Sequence, residues 1–369
     1  MTALRQAQGS VAGAQGPVTE LGGTPLGRAD FGRVRSVRHR LLRRTIMVCI
    51  GLLIALLVVF CAAMIVGDFP LGLSELFYAL TGRGTSATNF IVYDLRLPRV
   101  ITGMLVGLCF GISGAIFQAM IRNPLATPDI IGVTSGASAA AVFGILMLGL
   151  GGITISVFAF AGALVIALII YLLSYRGGLS GYRFVLIGIG MAAVMSAVIE
   201  YQMTRATVED AQTALLWLTG SLSSSSTSTM TTLAILAVII VPVTLIAGGW
   251  LSGLQLGDDT AQSIGLAVQR SRLLLILLGV ALAAIATAAA GPVGFVAFVS
   301  GPIARRLTRG TGTALIPAGL VGALVVSVAD FAGQHLLPVQ LPVGILTAVI
   351  GAPYLIFLLI RSNRLGTGG

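Results

Sequence analysis

The chain has 369 residues, of which 56% are hydrophobic and only 9% charged, with a mean hydropathy of +1.01 and a formal net charge of +10. A soluble domain carries far more charge, so this composition excludes a water-exposed fold and points to a chain whose solvent is lipid. All 22 basic residues are Arg. A Walker A loop needs a Lys to reach nucleotide phosphates, so any ATP-driven step belongs to another polypeptide, and arginines scattered along apolar runs exclude a nucleic-acid face.

Residues 1–44 are rich in Gly, Pro, Ala and Arg, lack apolar periodicity and end in Arg33, Arg35, Arg38, Arg40, Arg43 and Arg44. They read as a disordered, polybasic cytoplasmic tail. A secretory signal is the competing reading, but the charged region is too long for one. The apolar run 45–67 that follows also reaches the roughly 20 residues that span a bilayer. Further apolar runs lie near 98–121, 130–150, 152–175, 184–204, 228–250, 272–290, 292–308, 314–334 and 342–360. The expectation is an all-α, polytopic membrane domain of ten transmembrane helices over 45–362, with 363–369 as a short cytoplasmic tail. With the N-terminus inside, only Arg83, Arg96, Arg99 and Arg205 fall on outer segments. That bias puts both termini in the cytoplasm, and an odd number of spans would break it. Cys49, Cys61 and Cys109 sit in apolar runs and read as small hydrophobes; His39 and His335 lie too far apart in sequence to suggest a metal site.

Within the second span, Gly103, Gly107 and Gly111 recur every four residues, with Gly114 just beyond, a stripe that lets helix backbones approach closely. Four features carry more information. Arg96-Leu97-Pro98-Arg99 opens the second span; Pro98 suits a first helical turn, and Arg at i and i+3 share a face and can meet carboxylates bidentately or snorkel to the interface. Gln118 is a polar group near the inner end of that span, and the tract through Asn123-Pro124-Leu125-Ala126 and Pro128 to Gly132 cannot be one smooth helix. It is either a plain hairpin or broken backbone lining a cavity. The segment 254–266 is a polar interruption in which Asp258 or Asp259 caps a short helix and Gly265 ends it, a shape suited to docking a soluble partner or to a simple solvated loop. Near the end of the chain, Gly291-Pro292-Val293-Gly294-Phe295 opens the eighth span and Ser300-Gly301-Pro302 lies near its close. Gly351-Ala352-Pro353 interrupts the tenth. Glu200 and Asp330 are the acids nearest the apolar zone, either solvated at the interface or proton or cation sites.

These features, in this order, resemble the FecCD-type family, the permease subunits of binding-protein-dependent ABC importers for ferric siderophores, haem and cobalamin. The resemblance covers roughly 45–362 and rests on Leu95-Arg96-Leu97-Pro98-Arg99, Ser113-Gly114 through Gln118, Asn123-Pro124-Leu125-Ala126, and Leu341-Pro342-Val343-Gly344 with Gly351-Ala352-Pro353. It implies ten spans in the bacterial inner membrane, a dimer of permeases, two ATP-binding subunits inside and a siderophore-binding protein outside. It implies that Arg96 and Arg99 meet carboxylates of that binding protein. Gly257, Asp258, Asp259, Ala261, Ile264 and Gly265 would dock the ATPase, and Gln118, Met191 and Ser196 would lie near the translocation pathway. No cofactor is expected on this chain, since ATP and Mg²⁺ belong to the partner ATPase, and the permease does no covalent chemistry. Two departures, Gln334 four residues after Asp330 and Gly301-Pro302 before Ile303-Ala304-Arg305, are similar to the second permease of ferric-enterobactin-type systems and imply a heterodimer. Haem or cobalamin import is the alternative. An ion-coupled secondary transporter would need buried carboxylates at mid-membrane, a membrane enzyme a reactive cluster, and a receptor an output domain.

Overall fold

The computed structural model describes residues 28–67, 69–175, 181–309, 312–336 and 338–366. The chain divides into two units, Met1–Arg44 and Thr45–Gly369. In the first unit, residues 1–27 with Arg5 lie outside the described residues. Arg28 to Arg44, expected as disordered tail, belong instead to the helix α1 (Arg28–Ile65). Arg176, counted above with the cytoplasmic arginines, and residues 367–369 of the C-terminal tail also lie outside the described residues.

The second unit is all-helical among the described residues. After α1 come α2 (Leu73–Leu80) and α3 (Ser86–Asn89), then a π-helical turn Phe90–Arg96 that runs into α4 (Leu97–Ile121). Next are α5 (Val133–Leu148), α6 (Ile153–Ser174), α7 (Gly181–Met203) and the short α8 (Val208–Leu218). The chain continues through α9 (Thr227–Leu254), α10 (Asp258–Ser263), α11 (Val268–Ala290), α12 (Val296–Thr308), α13 (Leu315–His335) and α14 (Val343–Gly366).

Seven described helices are long and apolar enough to cross a membrane: those ending at Ile65, Ile121, Ser174, Met203, Leu254, Ala290 and His335. Two of the other three expected spans fall on shorter apolar helices, α5 with 16 residues and the Val343–Phe357 part of α14, and the third falls on α12, with 13 residues. At 1.5 Å per residue, α12 alone falls well short of a hydrocarbon core of about 30 Å. Residues 291–295 precede it as non-helical backbone, with Gly291 at φ 72° and Phe295 at φ 66°. Gly291 and Val293 of this stretch are buried and Pro292, Gly294 and Phe295 half-buried, and Ser221 N–H donates to the carbonyl of Ala290 just before it at 2.8 Å. α14 differs from the expectation at Pro353, because the helix continues through it. Proline in a membrane helix removes one hydrogen bond without ending the helix when neighbouring structure supports the turn.

α4 is the hub. It packs on α9, α11, α12 and α13, and every residue from Cys109 to Met120 is buried. The glycine stripe explains how. A Cβ on Gly107 would run into the Gly322 carbonyl and one on Gly111 into that of Ala318, both on α13; one on Gly114 would meet the Ala297 carbonyl on α12. These backbones touch because nothing stands between them. The outlying helices are different in kind: on α9, Ile246 is 80% and Val238 72% exposed. Apolar surface of that extent suits lipid or another membrane chain.

Candidate functional site

The sequence-predicted residues fall at two ends of the bundle and in its core. At the end where α4 begins, Arg99 and Arg96 take separate partners. Arg99 meets a carboxylate bidentately, but the carboxylate is the chain's own: Nη2 donates to Asp330 Oδ1 at 2.9 Å and Nε to Oδ2 at 3.2 Å. Asp330 is 5% exposed and also accepts from Gln334 Nε2 at 2.6 Å. It is therefore not the solvated interfacial acid considered above, and its charge is neutralised by the α4–α13 pair. Arg96, at the close of the π-helical turn, donates to the carbonyls of Met64 and Phe69 and so ties the end of α1 to the start of α4. Glu200 is exposed on α7.

In the core, Gln118 is 3% exposed and bridges α4 to α12. Its Nε2 donates to the Phe298 carbonyl at 3.0 Å, and its Oε1 accepts from Arg305 Nη2 at 3.0 Å. A Cβ on Gly301 would collide with Oε1, so glycine there makes room for the amide. Ser113 adds a second polar tie, donating to the Gly279 carbonyl of α11 at 2.6 Å. On α7, Met191 is half-buried against the core and Ser196 is exposed. That helix buries only Phe184, Gly188 and Gln202, leaving Leu186, Ile189, Val194 and Tyr201 exposed.

The other end is built around α10. The Asn123–Gly132 tract is indeed broken: Arg122 ends α4 in the left-handed region at φ 56°, and Leu125 N–H donates to the Asn123 side chain at 2.9 Å. Ala126, Thr127 and Pro128 are buried, so the tract folds back into protein. Arg122 Nη2 donates to the Leu254 carbonyl at 2.8 Å, joining this turn to the end of α9. α10 follows. Its N-cap is Gly257 at φ 108°, where the sequence suggested Asp258 or Asp259; those two occupy the first turn instead, favourable to the helix dipole. Its C-terminus is a Schellman turn: Gly265 sits at φ 84°, and its N–H and that of Leu266 bond the Gln262 and Ala261 carbonyls at 2.9 and 3.0 Å. Ala261 is buried, while Ile264 is 63% and Leu256 62% exposed. Asp258 pairs with Arg272 at 2.9 Å. A cavity of about 330 Å³ opens between the end of α4, the start of α7 and α10, lined by Arg122, Tyr182, Gly257, Asp258 and Arg272 among others. The arrangement is a receptacle with a fixed polar floor and two apolar side chains offered beside it.

Sequence reasoning missed Asp129 and α8. Asp129 lies in the α4–α5 tract, where burial pushes its carboxyl up to about 7 against the smaller lowering effect of a hydrogen bond with Thr134. α8 is capped by Thr207, whose Oγ1 accepts from Asp210 N–H at 3.2 Å, and the Thr207-x-x-Asp210 spacing was the available signal.

The sequence matches the FecCD transport family over residues 55–361. It is 37% identical over 323 residues to the ferric enterobactin transport system permease protein FepG of Escherichia coli (strain K12), covering 87% of this chain and 98% of that protein. It is 40% identical over 316 residues to the achromobactin transport system permease protein CbrC of Dickeya dadantii (strain 3937), covering 85% and 90%. Among solved structures, a metal-chelate type ABC transporter in an inward-facing conformation superposes with a TM-score of 0.77 at 24% identity, over 85% of this chain and 99% of that one.

Proposed function

The chain belongs to the FecCD transport family, and from that premise we propose that it is the membrane permease subunit of an ATP-driven importer that brings a ferric siderophore across the bacterial inner membrane. The observation that carries this reading is the near end-to-end match to a permease named for ferric enterobactin transport, 98% of whose length is covered. The chain works as a transport subunit with an ATPase and a substrate-binding protein as partners. ATP and Mg²⁺ act on the ATPase, because this chain has no Lys for a phosphate loop.

We extend the proposal to finer assignments. The seven long helices and the three shorter ones make ten spans with both termini cytoplasmic, since that orientation keeps most arginines inside. α10 and its receptacle then face the cytoplasm, and the exposed Ile264 and Leu256 dock the ATPase. The Arg96–Arg99 end faces outward and receives the binding protein. Arg99 reaches a partner carboxylate only by leaving Asp330, so Arg96 and the surface around it make first contact. A second, related permease covers the exposed face of α7, with Ser196 near the shared pathway and Met191 behind it. An ion-coupled reading is not favoured, because Asp330 is neutralised by Arg99 and Glu200 is exposed.

The test is uptake of iron-55 siderophore into vesicles holding this chain, a candidate partner permease and ATPase, with ATP inside and binding protein outside. Uptake should require both permeases and hydrolysable ATP. Uptake that persists without hydrolysis and collapses with an ionophore, or that appears only for haem or cobalamin, refutes the proposal.

A further inference from the structure

Two adjoining cavities lie on one side of the bundle. The first, about 180 Å³, is a groove between α6, α9 and α11, lined by apolar side chains such as Val157, Phe160, Leu233 and Ile285. The second, about 840 Å³, lies at the end of the same helices where α4 begins. Its wall holds a run of hydroxyls from the α8–α9 connection, among them Ser221, Ser223, Ser224 and Ser226, together with Trp217, Leu216, Leu341 and Arg99, whose guanidinium is held by Asp330. Ile153, Ser156, Thr229, Ala288 and Ala289 line both, so the two spaces are continuous. Small residues make the passage: Ser156 on α6 faces Ala288 and Ala289 on α11, where larger side chains would close it.

We propose that this composite cavity is a binding site for one glycerophospholipid, with an acyl chain in the groove and the glycerol-phosphate among the hydroxyls. Three observations favour that occupant. The groove lies along three helices long and apolar enough to cross the membrane, so what enters it at that depth is hydrocarbon. An α-helix is about 10 Å across with its side chains and does not enter a groove of 180 Å³, which argues against a span of another subunit. Hydroxyls collect at one end only, on the α8–α9 connection, where they can donate to and accept from a glycerol-phosphate, while the charge of Arg99 is already met by Asp330. Its place at the end where α4 begins puts the lipid in the outer leaflet under the orientation proposed above.

The chain has two tryptophans, Trp217 in the mouth and Trp250 on α9. In full-length Trp250→Phe protein in detergent, Trp217 is the only indole and reports the site. Phosphatidylglycerol brominated near the carbonyl end of its acyl chain should quench it saturably, at about one lipid per chain, and unlabelled phosphatidylglycerol should restore the emission. Ala289→Phe in the same background should remove the saturable part while leaving Cys109 shielded from maleimide, which reports an intact core. Quenching that rises linearly with lipid and is not competed overturns the site, and this holds even if the Ala289→Phe protein fails to fold. Brominated diacylglycerol saturating equally well overturns the headgroup assignment.

Discussion

The Arg99–Asp330 pair is the interaction whose removal should be felt most. Asp330 is 5% exposed and the Arg99 side chain 19%, so Asp330→Ala strands a guanidinium in a poorly hydrated place. Removing one partner of a buried pair costs about 3–5 kcal/mol. Arg99 keeps some access to water, which discounts that figure to about 3 kcal/mol. At about 2 °C per kcal/mol for a large chain, the unfolding midpoint should fall by about 6 °C. Cys109 provides the assay, because it is fully buried in α4 beside the pair's own helix. With Cys49 and Cys61 changed to Ala, a thiol-reactive fluorophore reports loss of the α4 packing during a temperature ramp in detergent. Arg99→Met with Asp330→Leu should recover most of the loss, because both charges leave together and neither is stranded. An Asp330→Ala protein that melts with its parent refutes the claim that this pair locks α4 to α13. A double variant no better than the single refutes the assignment of the cost to a stranded charge.

Other outcomes follow from the same geometry. Gly107→Ala should destabilise by about 1–3 kcal/mol in the same thermal assay, since its Cβ would meet backbone at Gly322, whereas Gly103→Ala, whose Cβ would be 2.9 Å from a movable Leu222 methyl, should cost clearly less. Asp129 holds its proton to about pH 7 in the folded chain against an ordinary 3.8. The native state therefore binds more protons between those values, and stability should fall from about pH 4 to about pH 7 and level off above; Asp129→Asn should flatten that window in midpoints measured across pH. Ile264→Asp, on a side chain 63% exposed, should leave the melting midpoint unchanged and abolish co-purification with the ATPase; retained co-purification would remove α10 from the docking surface.

The spans were legible because long apolar runs have few alternatives in water or lipid. Their lengths were less so. Hydropathy does not distinguish a helix from extended peptide packed inside protein, so 292–308 read as one span where the chain has non-helical backbone followed by the 13 residues of α12. Gly265 as a helix stop was readable from its type alone, since a left-handed residue is needed there. Partners distant in sequence were not readable. The i, i+3 spacing of Arg96 and Arg99 called for carboxylates, and nothing in it pointed to one 231 residues away. The family resemblance placed Gln118 near the pathway, and the sequence carried no signal of its partners within this chain. Its actual use depends on where the carbonyls of Ala297 and Phe298 lie, and only packing decides that.

The distribution of polar ties bears on how such a chain moves. α4 is fastened along its length: by Arg99 to α13, by Ser113 to α11 and by Gln118 to α12. A helix held by buried bonds and backbone contact on several sides behaves as a fixed frame, because each tie must break before it shifts. α7 buries less of itself, with Phe184, Gly188 and Gln202 its buried residues. Its close contact is small on small: a Cβ on Gly188 would sit 2.6 Å from the Ile131 carbonyl, and one on Gly132 would sit 2.9 Å from the Gly188 carbonyl. The α4–α5 tract thus touches α7 on one side, and through Arg122 it holds the end of α9 immediately before α10. Contacts therefore run from α10 through the end of α4 to α7. Contiguity of this kind is a route for motion only if the helix at its far end has two arrangements. α7, weakly buried and joined to this tract through glycines, is the helix at the far end of that route.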